Sequence, residues 1–182
     1  MFSDSVLATF DVVVFLSTTG DVLGAGQQQA LERFVKGGGG YVGIHAASDT
    51  EHDWPWYGEL VGAYFASHPE IQEATVRVLD SDHPSTSMLP AEWIRTDEWY
   101  NYRESPTGRV HVLARLDEST YDGGANGDDH PIAWCHVHNG GRAWYTGGGH
   151  TVESFDEPLF RAHILGGIEY ASGAASGVCD LP

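Results

Sequence analysis

Three residues in this chain stand where working side chains are usually held. His45 follows a glycine-rich turn and a short apolar run, residues 37–44, and opens an abruptly polar stretch. His150 ends a second glycine run, residues 147–149. Glu98 lies in Asp97-Glu98-Trp99-Tyr100-Asn101, where two carboxylates sit beside two aromatic rings. In open α/β sheets, ligands bind beyond the carboxyl ends of strands. Two histidines on two glycine-rich strand exits are therefore expected to meet at one crevice. A histidine with a carboxylate is the smallest set for acid–base work. Asp97 and Glu98 alternate across a strand, so only one reaches a given site, and the reading favours Glu98. The expected catalytic set is His45, His150 and Glu98.

Each of these has a plainer alternative. His45 could hold a loop shut through hydrogen bonds, and the acidic–aromatic segment could be a solvated edge over buried rings. Asp49 and His52 lie within one loop of His45, and Glu153 stands three residues after His150, placed to orient it. Three imidazoles, His45, His68 and His150, form a candidate ligand set for a divalent ion such as zinc, although no spacing motif fixes it. Trp54, Trp56, Trp99 and Tyr100 are candidates for stacking on a sugar, with Asp49, Asp129 and His130 as further substrate contacts. His136 and His138 share one strand face and read as structural. There is no G-x-S-x-G elbow, no cysteine placed as a nucleophile after a strand and no P-loop, and the G-x-G-x-x-G spacing of Gly38, Gly40 and Gly43 lacks the strand-to-helix setting of a dinucleotide fingerprint. Residues 37–40 precede a strand rather than a helix, so they are not a phosphate cradle.

The elements that must position these residues can be read from periodicity. Residues 10–16 form a run that is apolar except for Asp11, the pattern of a strand covered on both faces. Residues 27–36 carry Ala30, Leu31, Phe34 and Val35 on one stripe, as a helix does, and the glycines that follow end it. With the strand at 41–44 this makes a β-α-β unit. A short helix is expected near Trp56, Leu60, Val61 and Tyr64. Strands are expected at 73–79, within 93–102 and at 110–116. Two more, at 131–138 and 142–145, flank Asn139-Gly140-Gly141, a hairpin signal. A helix is expected over 158–170, with Pro158 in its first turn.

Composition bounds the rest. A chain of 182 residues suits one domain with a substantial core. The net charge of -17, with Lys36 the only lysine, disfavours nucleic acid and anionic membranes as partners. No apolar run approaches the ~20 residues that span a bilayer, and the opening residues lack the basic and apolar regions of a signal peptide. The two cysteines, Cys135 and Cys179, have no metal-site spacing. Free thiols are the default reading and suit the cytoplasm. A disulfide between them would indicate an oxidising compartment and a secreted protein. Residues 174–182 are small and polar and read as a flexible tail or linker after a domain at 1–173.

The segments VVVFLSTTGDVL, GGGYVGIHAASDT, WPWYGELVGAYFASHP, DHPST, DEWYNYR, LDESTY, DHPIAW, GGRAWYTGGGHT and EPLFRAHILGGIEYASG occur in this order. Together they resemble the ThuA-like (trehalose utilisation) family, over nearly the whole chain. The resemblance implies a flavodoxin-like, class I glutamine amidotransferase-like three-layer sandwich with a mostly parallel sheet. In those amidotransferases a nucleophilic cysteine sits at a strand exit, and a His–Glu pair lies near the C-terminus. His45 takes the nucleophile position here, and His150 with Glu153 resembles the remaining pair. The missing cysteine argues against glutaminase chemistry. The resemblance also implies a role in sugar use, with trehalose or a keto-glycoside as substrate, and acid–base or metal-assisted chemistry as the reaction. A non-catalytic carbohydrate-binding module of a larger secreted protein and a metal-dependent hydrolase are the alternatives. Family members usually begin with a βα unit, its strand inside the sheet, ahead of the equivalent of residues 10–16. Its absence predicts a gap filled by a homo-oligomer or by altered strand pairing.

Overall fold

A computed structural model describes residues 2–179. The elements, in order, are α1 (Asp4–Leu7), β1 (Val12–Leu16), α2 (Ala25–Lys36), β2 (Gly40–Ile44), α3 (Pro55–Val61), β3 (Phe65–Ser67), β4 (Gln72–Val78), β5 (Glu92–Asp97), β6 (Asn101–Tyr102), β7 (His111–Leu116), β8 (Pro131–His138), β9 (Gly141–Thr146) and α4 (Pro158–Ser172). A short 3-10 helix, His45–Asp49, follows β2 directly. The central sheet has seven strands in the order β1-β2-β9-β8-β7-β4-β5, and β3 pairs with β6 apart from it.

The sheet is covered on both faces, which makes three layers. Alternation along β2 and β9 sends successive side chains to opposite faces. Tyr41 points to the α3 side, where its hydroxyl meets that of Tyr57 at 2.8 Å. Trp144 points to the other side, beneath α4. A Cβ on Gly167 would overlap the Trp144 indole, so α4 needs glycine there to approach the sheet. The chain around α2 closes as its residues dictate. Gln27 folds back to accept from the Gly24 N–H at 2.8 Å, and Gly38 at φ 99 lets the chain turn away after the helix. The hairpin turn joining β8 and β9 has Asn139 at φ 49 and Gly140 at φ 103. Two positive φ values in a row define the tight turn whose twist matches the strands.

The α/β class and the flavodoxin-like layering are as expected, but the sheet is not mostly parallel. Only β1–β2 and β2–β9 are parallel, and the four pairings from β9 to β5 are antiparallel. The reason is connectivity. Parallel neighbours need a crossover of a dozen or more residues, usually a helix. From residue 72 to 146 the chain contains no α-helix. Among the described residues no gap is left inside the sheet, and direct strand pairing closes the place where one was expected. β1 pairs directly with β2 from Val12–Gly40 to Leu16–Ile44 and forms the edge of the sheet. Val14 and Leu16 are exposed along it, at 41% and 53%.

The two cysteines are joined rather than free. Cys179 is buried against β8, and the Ala175 N–H reaches the Glu169 carbonyl. Residues 174–179 are therefore pinned to the domain and do not trail from it as a flexible tail. Residues 180–182 of that expected tail lie outside the described residues. Among the described residues no helix is long and apolar enough to cross a membrane.

Two stability predictions follow from this core. The bond between Cys135 and Cys179 closes a loop with a sequence separation of 44. Chain entropy assigns such a loop about 4 kcal/mol. Cys135→Ser is expected to lower the urea-denaturation free energy by that order, and reduction of the wild type should do the same. Equal midpoints with and without reductant would remove the staple from the account. Burial also pushes His163 down to about 3, and His83 and His136 down to about 4. The unfolded chain takes up these protons below about pH 6.5, whereas the folded core refuses them until well below pH 5. Stability is therefore present above pH 6.5 and lost as pH falls through the window from 6.5 to about 4. The expected slope near pH 5 is roughly 4 kcal/mol per pH unit for three such groups. Melting temperatures across pH 4.5–7.5 check this, and a flat profile would contradict it.

Candidate functional site

The carboxyl end of β2 carries the first side chain of the site. Ile44 is extended at φ -125, and His45 then turns left-handed at φ 51. A non-glycine residue in that region costs of order 1–3 kcal/mol, and such residues cluster at working sites. The turn throws the imidazole back across the strand end, where it is 98% buried. Its Nδ1 lies 2.9 Å from the Gly147 carbonyl. A carbonyl only accepts, so Nδ1 carries the proton and Nε2 of the neutral ring carries a lone pair. Burial pushes the His45 imidazolium down, the largest influence on it.

Glu98 arrives from the exit of β5. Its Oε2 is 3.2 Å from His45 Nε2 and 3.3 Å from His150 Nδ1, and its Oε1 is 3.1 Å from His68 Nδ1. His45 Nε2 and His150 Nδ1 are 3.1 Å apart. Glu98 is buried, whereas His68 and His150 are 44% and 42% exposed at the cleft mouth. The cleft has a volume of about 430 Å³. One wall is Phe65 and Tyr100, with ring centroids 4.3 Å apart, and Tyr100 in turn lies 4.1 Å from His45. The other wall carries Ser17, Thr19 and Asp49. Asp49 accepts from Thr19 at 2.6 Å and pairs with His52 at 2.8 Å.

Asp97 holds this arrangement from behind. It is fully buried. It accepts from the backbone N–H of Gly149 (2.7 Å), His150 (3.0 Å) and Glu98 (3.0 Å), from Ser154 Oγ (3.0 Å) and from Arg95 Nη1 (2.9 Å). The strand exits bearing Glu98 and His150 are thus fastened to one carboxylate. Gly149, at φ 105, supplies a backbone conformation that side-chain-bearing residues rarely adopt.

The expected catalytic residues His45, Glu98 and His150 come together, and His68 joins them through Glu98 rather than His45. Asp49 and Tyr100 line the same cleft. The other expected contacts lie elsewhere. Trp99 is core, with its indole donating to the Gln72 carbonyl at 2.9 Å. Trp54 and Trp56 stack on each other at 5.0 Å around the start of α3, away from the cleft lining. Asp129 binds Ser105, Thr107 and Arg115. His130 is fully buried, between Glu118 (2.7 Å) and the Tyr100 carbonyl (2.8 Å), so it supports Tyr100 from below. The carboxylate touching His150 is Glu98 and not Glu153. Sequence reading missed Asp97 as an anchor and Ser17, Thr19 and Phe65 as lining. The polar exit after residue 16 was a signal for the first two.

A sheet layered between helices, with a left-handed histidine at a strand exit beside a cleft, makes this a flavodoxin-like α/β protein. This chain belongs to the ThuA family, described as trehalose utilisation, whose model matches residues 1–171. Among solved structures it is similar to a ThuA-like protein of Bacteroides uniformis, with 27% identity and a TM-score of 0.79 over 93% of this chain and 72% of that one. A ThuA-like protein of Parabacteroides merdae is 21% identical, with a TM-score of 0.77 over 94% and 74%. The β-galactosidase of Bacillus circulans sp. alkalophilus shares the fold alone, at 14% identity and a TM-score of 0.57, over 92% of this chain and 23% of the enzyme. No protein of curated function matches the chain by sequence.

Asp97→Ala should therefore act on stability and on the site together. It strips the partner from several buried donors, a loss of about 3–5 kcal/mol by analogy with broken buried pairs. Urea denaturation is expected to show that loss. A variant as stable as the wild type would mean the carboxylate does not fasten the two exits.

Proposed function

We propose that the cleft transforms a carbohydrate, trehalose or a keto-glycoside derived from such a sugar, and that bond rearrangement takes place over His45, Glu98 and His150. The observation that carries this reading is their convergence: three nitrogen and oxygen atoms within 3.3 Å at the end of β2, facing an open cleft. The trehalose-utilisation family supports the substrate class. The walls suit it as well. Phe65 and Tyr100 offer ring faces for the apolar side of a sugar, and Ser17, Thr19 and Asp49 offer hydrogen bonds for its hydroxyls.

The residues divide the work by exposure. His45, buried and fixed through Gly147, presents an electron pair from Nε2 at the cleft floor. Glu98 touches it and both exposed imidazoles. His68 and His150 reach solvent, so protons taken from or returned to the sugar can pass through them.

The test is incubation with a panel of disaccharides and their oxidised keto forms, followed by product analysis. His45→Ala and Glu98→Gln are each expected to lower turnover by about 100-fold or more, with circular dichroism unchanged. Turnover that survives both substitutions would sink the proposal. Saturable sugar binding with no product from the wild type would instead make the chain a carbohydrate-binding module.

A further inference from the structure

The same three atoms raise a separate question of what lies between them. His45 Nε2 carries a lone pair because Nδ1 donates to Gly147. It stands 3.2 Å from Glu98 Oε2, which also only accepts when ionised. His150 Nδ1 is 3.1 Å from the first and 3.3 Å from the second. One proton on His150 can lie along only one of those lines, and it leaves the two acceptors facing each other. A cation satisfies all three at once.

The spacing fits a particular geometry. Zinc-type ions bind nitrogen and carboxylate oxygen at ~2.0–2.2 Å in a tetrahedron. The ligand atoms of such a tetrahedron lie roughly 3.3–3.6 Å apart, the edge that follows from those bond lengths. The observed separations of 3.1, 3.2 and 3.3 Å are close to that edge. Two imidazoles with one carboxylate suit zinc-like ions better than magnesium or calcium, which prefer oxygen. Glu98 Oε1 meets His68 Nδ1 at 3.1 Å, an outer contact of the kind that orients a ligating carboxylate. His83, Cys135 and Cys179 also lie close together, but both sulfurs are committed to the disulfide.

We propose that His45 Nε2, His150 Nδ1 and Glu98 Oε2 form a three-ligand site for a zinc-like divalent cation, with its fourth position open to the cleft. His68 belongs outside this set, as the partner of the ligating carboxylate. The inference concerns the cleft of the proposed carbohydrate reaction but stands on ligand geometry alone. A bound cation would supply Lewis-acid polarisation of a sugar oxygen at the open position.

The experiment uses untagged protein, stripped with chelator and titrated with cobalt(II) and zinc(II). One cobalt per chain is expected, with the intense visible absorption of a tetrahedral centre, displaced by one equivalent of zinc. Glu98→Gln keeps the shape of the side chain and should weaken zinc binding about 100-fold or more, as should His150→Ala. His111→Ala, which removes a histidine paired with Asp80 on the far strand β7, should leave affinity unchanged. Failure of the wild type to bind either ion below millimolar concentration would overturn the proposal, as would wild-type affinity in Glu98→Gln and His150→Ala. The two readings fail separately. Metal binding without sugar turnover leaves the cation site and removes the carbohydrate reaction. Sugar turnover by a wild type that binds neither ion does the reverse.

Discussion

The buried carboxylate of Asp97 is the constraint on which the site depends. It gathers five donors from three separate stretches of chain: Arg95 and Glu98 at the end of β5, Gly149 and His150 after β9, and Ser154 beyond them. An ionised carboxylate inside a protein is tolerated only when its oxygens are fully engaged. That requirement turns a loop into a fixed platform. His150 has its backbone held while its ring stays half exposed. Glu98 has its N–H held while its carboxylate reaches His45. The imidazoles and the Glu98 carboxylate line the cleft, and the rigidity comes from the residue beside Glu98 that points the other way.

Much of this was legible in the sequence, and the failures share a cause. His45 and His150 were visible because a glycine-rich turn, a short apolar run and a sudden polar residue mark a strand exit. Alternation allowed only one of Asp97 and Glu98 to reach the site, and it also explains what was missed. The residues on the opposite face are buried rather than solvated, so Asp97 became an anchor and Trp99 became core. Tyr100, two residues from Glu98, faces the cleft with it. The tryptophans at 54 and 56 look like a sugar platform in one dimension, but the start of α3 turns them onto each other. No local pattern reports the direction in which a helix start faces.

The sheet shows the same limit at a larger scale. The β-α-β unit and the hairpin were readable because each is short-range. The balance of parallel and antiparallel pairing was not, since it depends on whether helices or loops join strands that lie far apart in the chain. The pairing of Cys135 with Cys179 is likewise a matter of three-dimensional proximity. Spacing allowed either state.

The contact between His45 and His150 joins residues 105 positions apart. Closing so long a loop is entropically costly and is repaid only when the intervening strands have already paired. β9 must lie against β2, and the Asp97 platform must be seated, before the two imidazoles can meet. No fragment of the domain contains the site in isolation. The meeting of His45 and His150 is consequently a readout of the whole fold between β2 and β9.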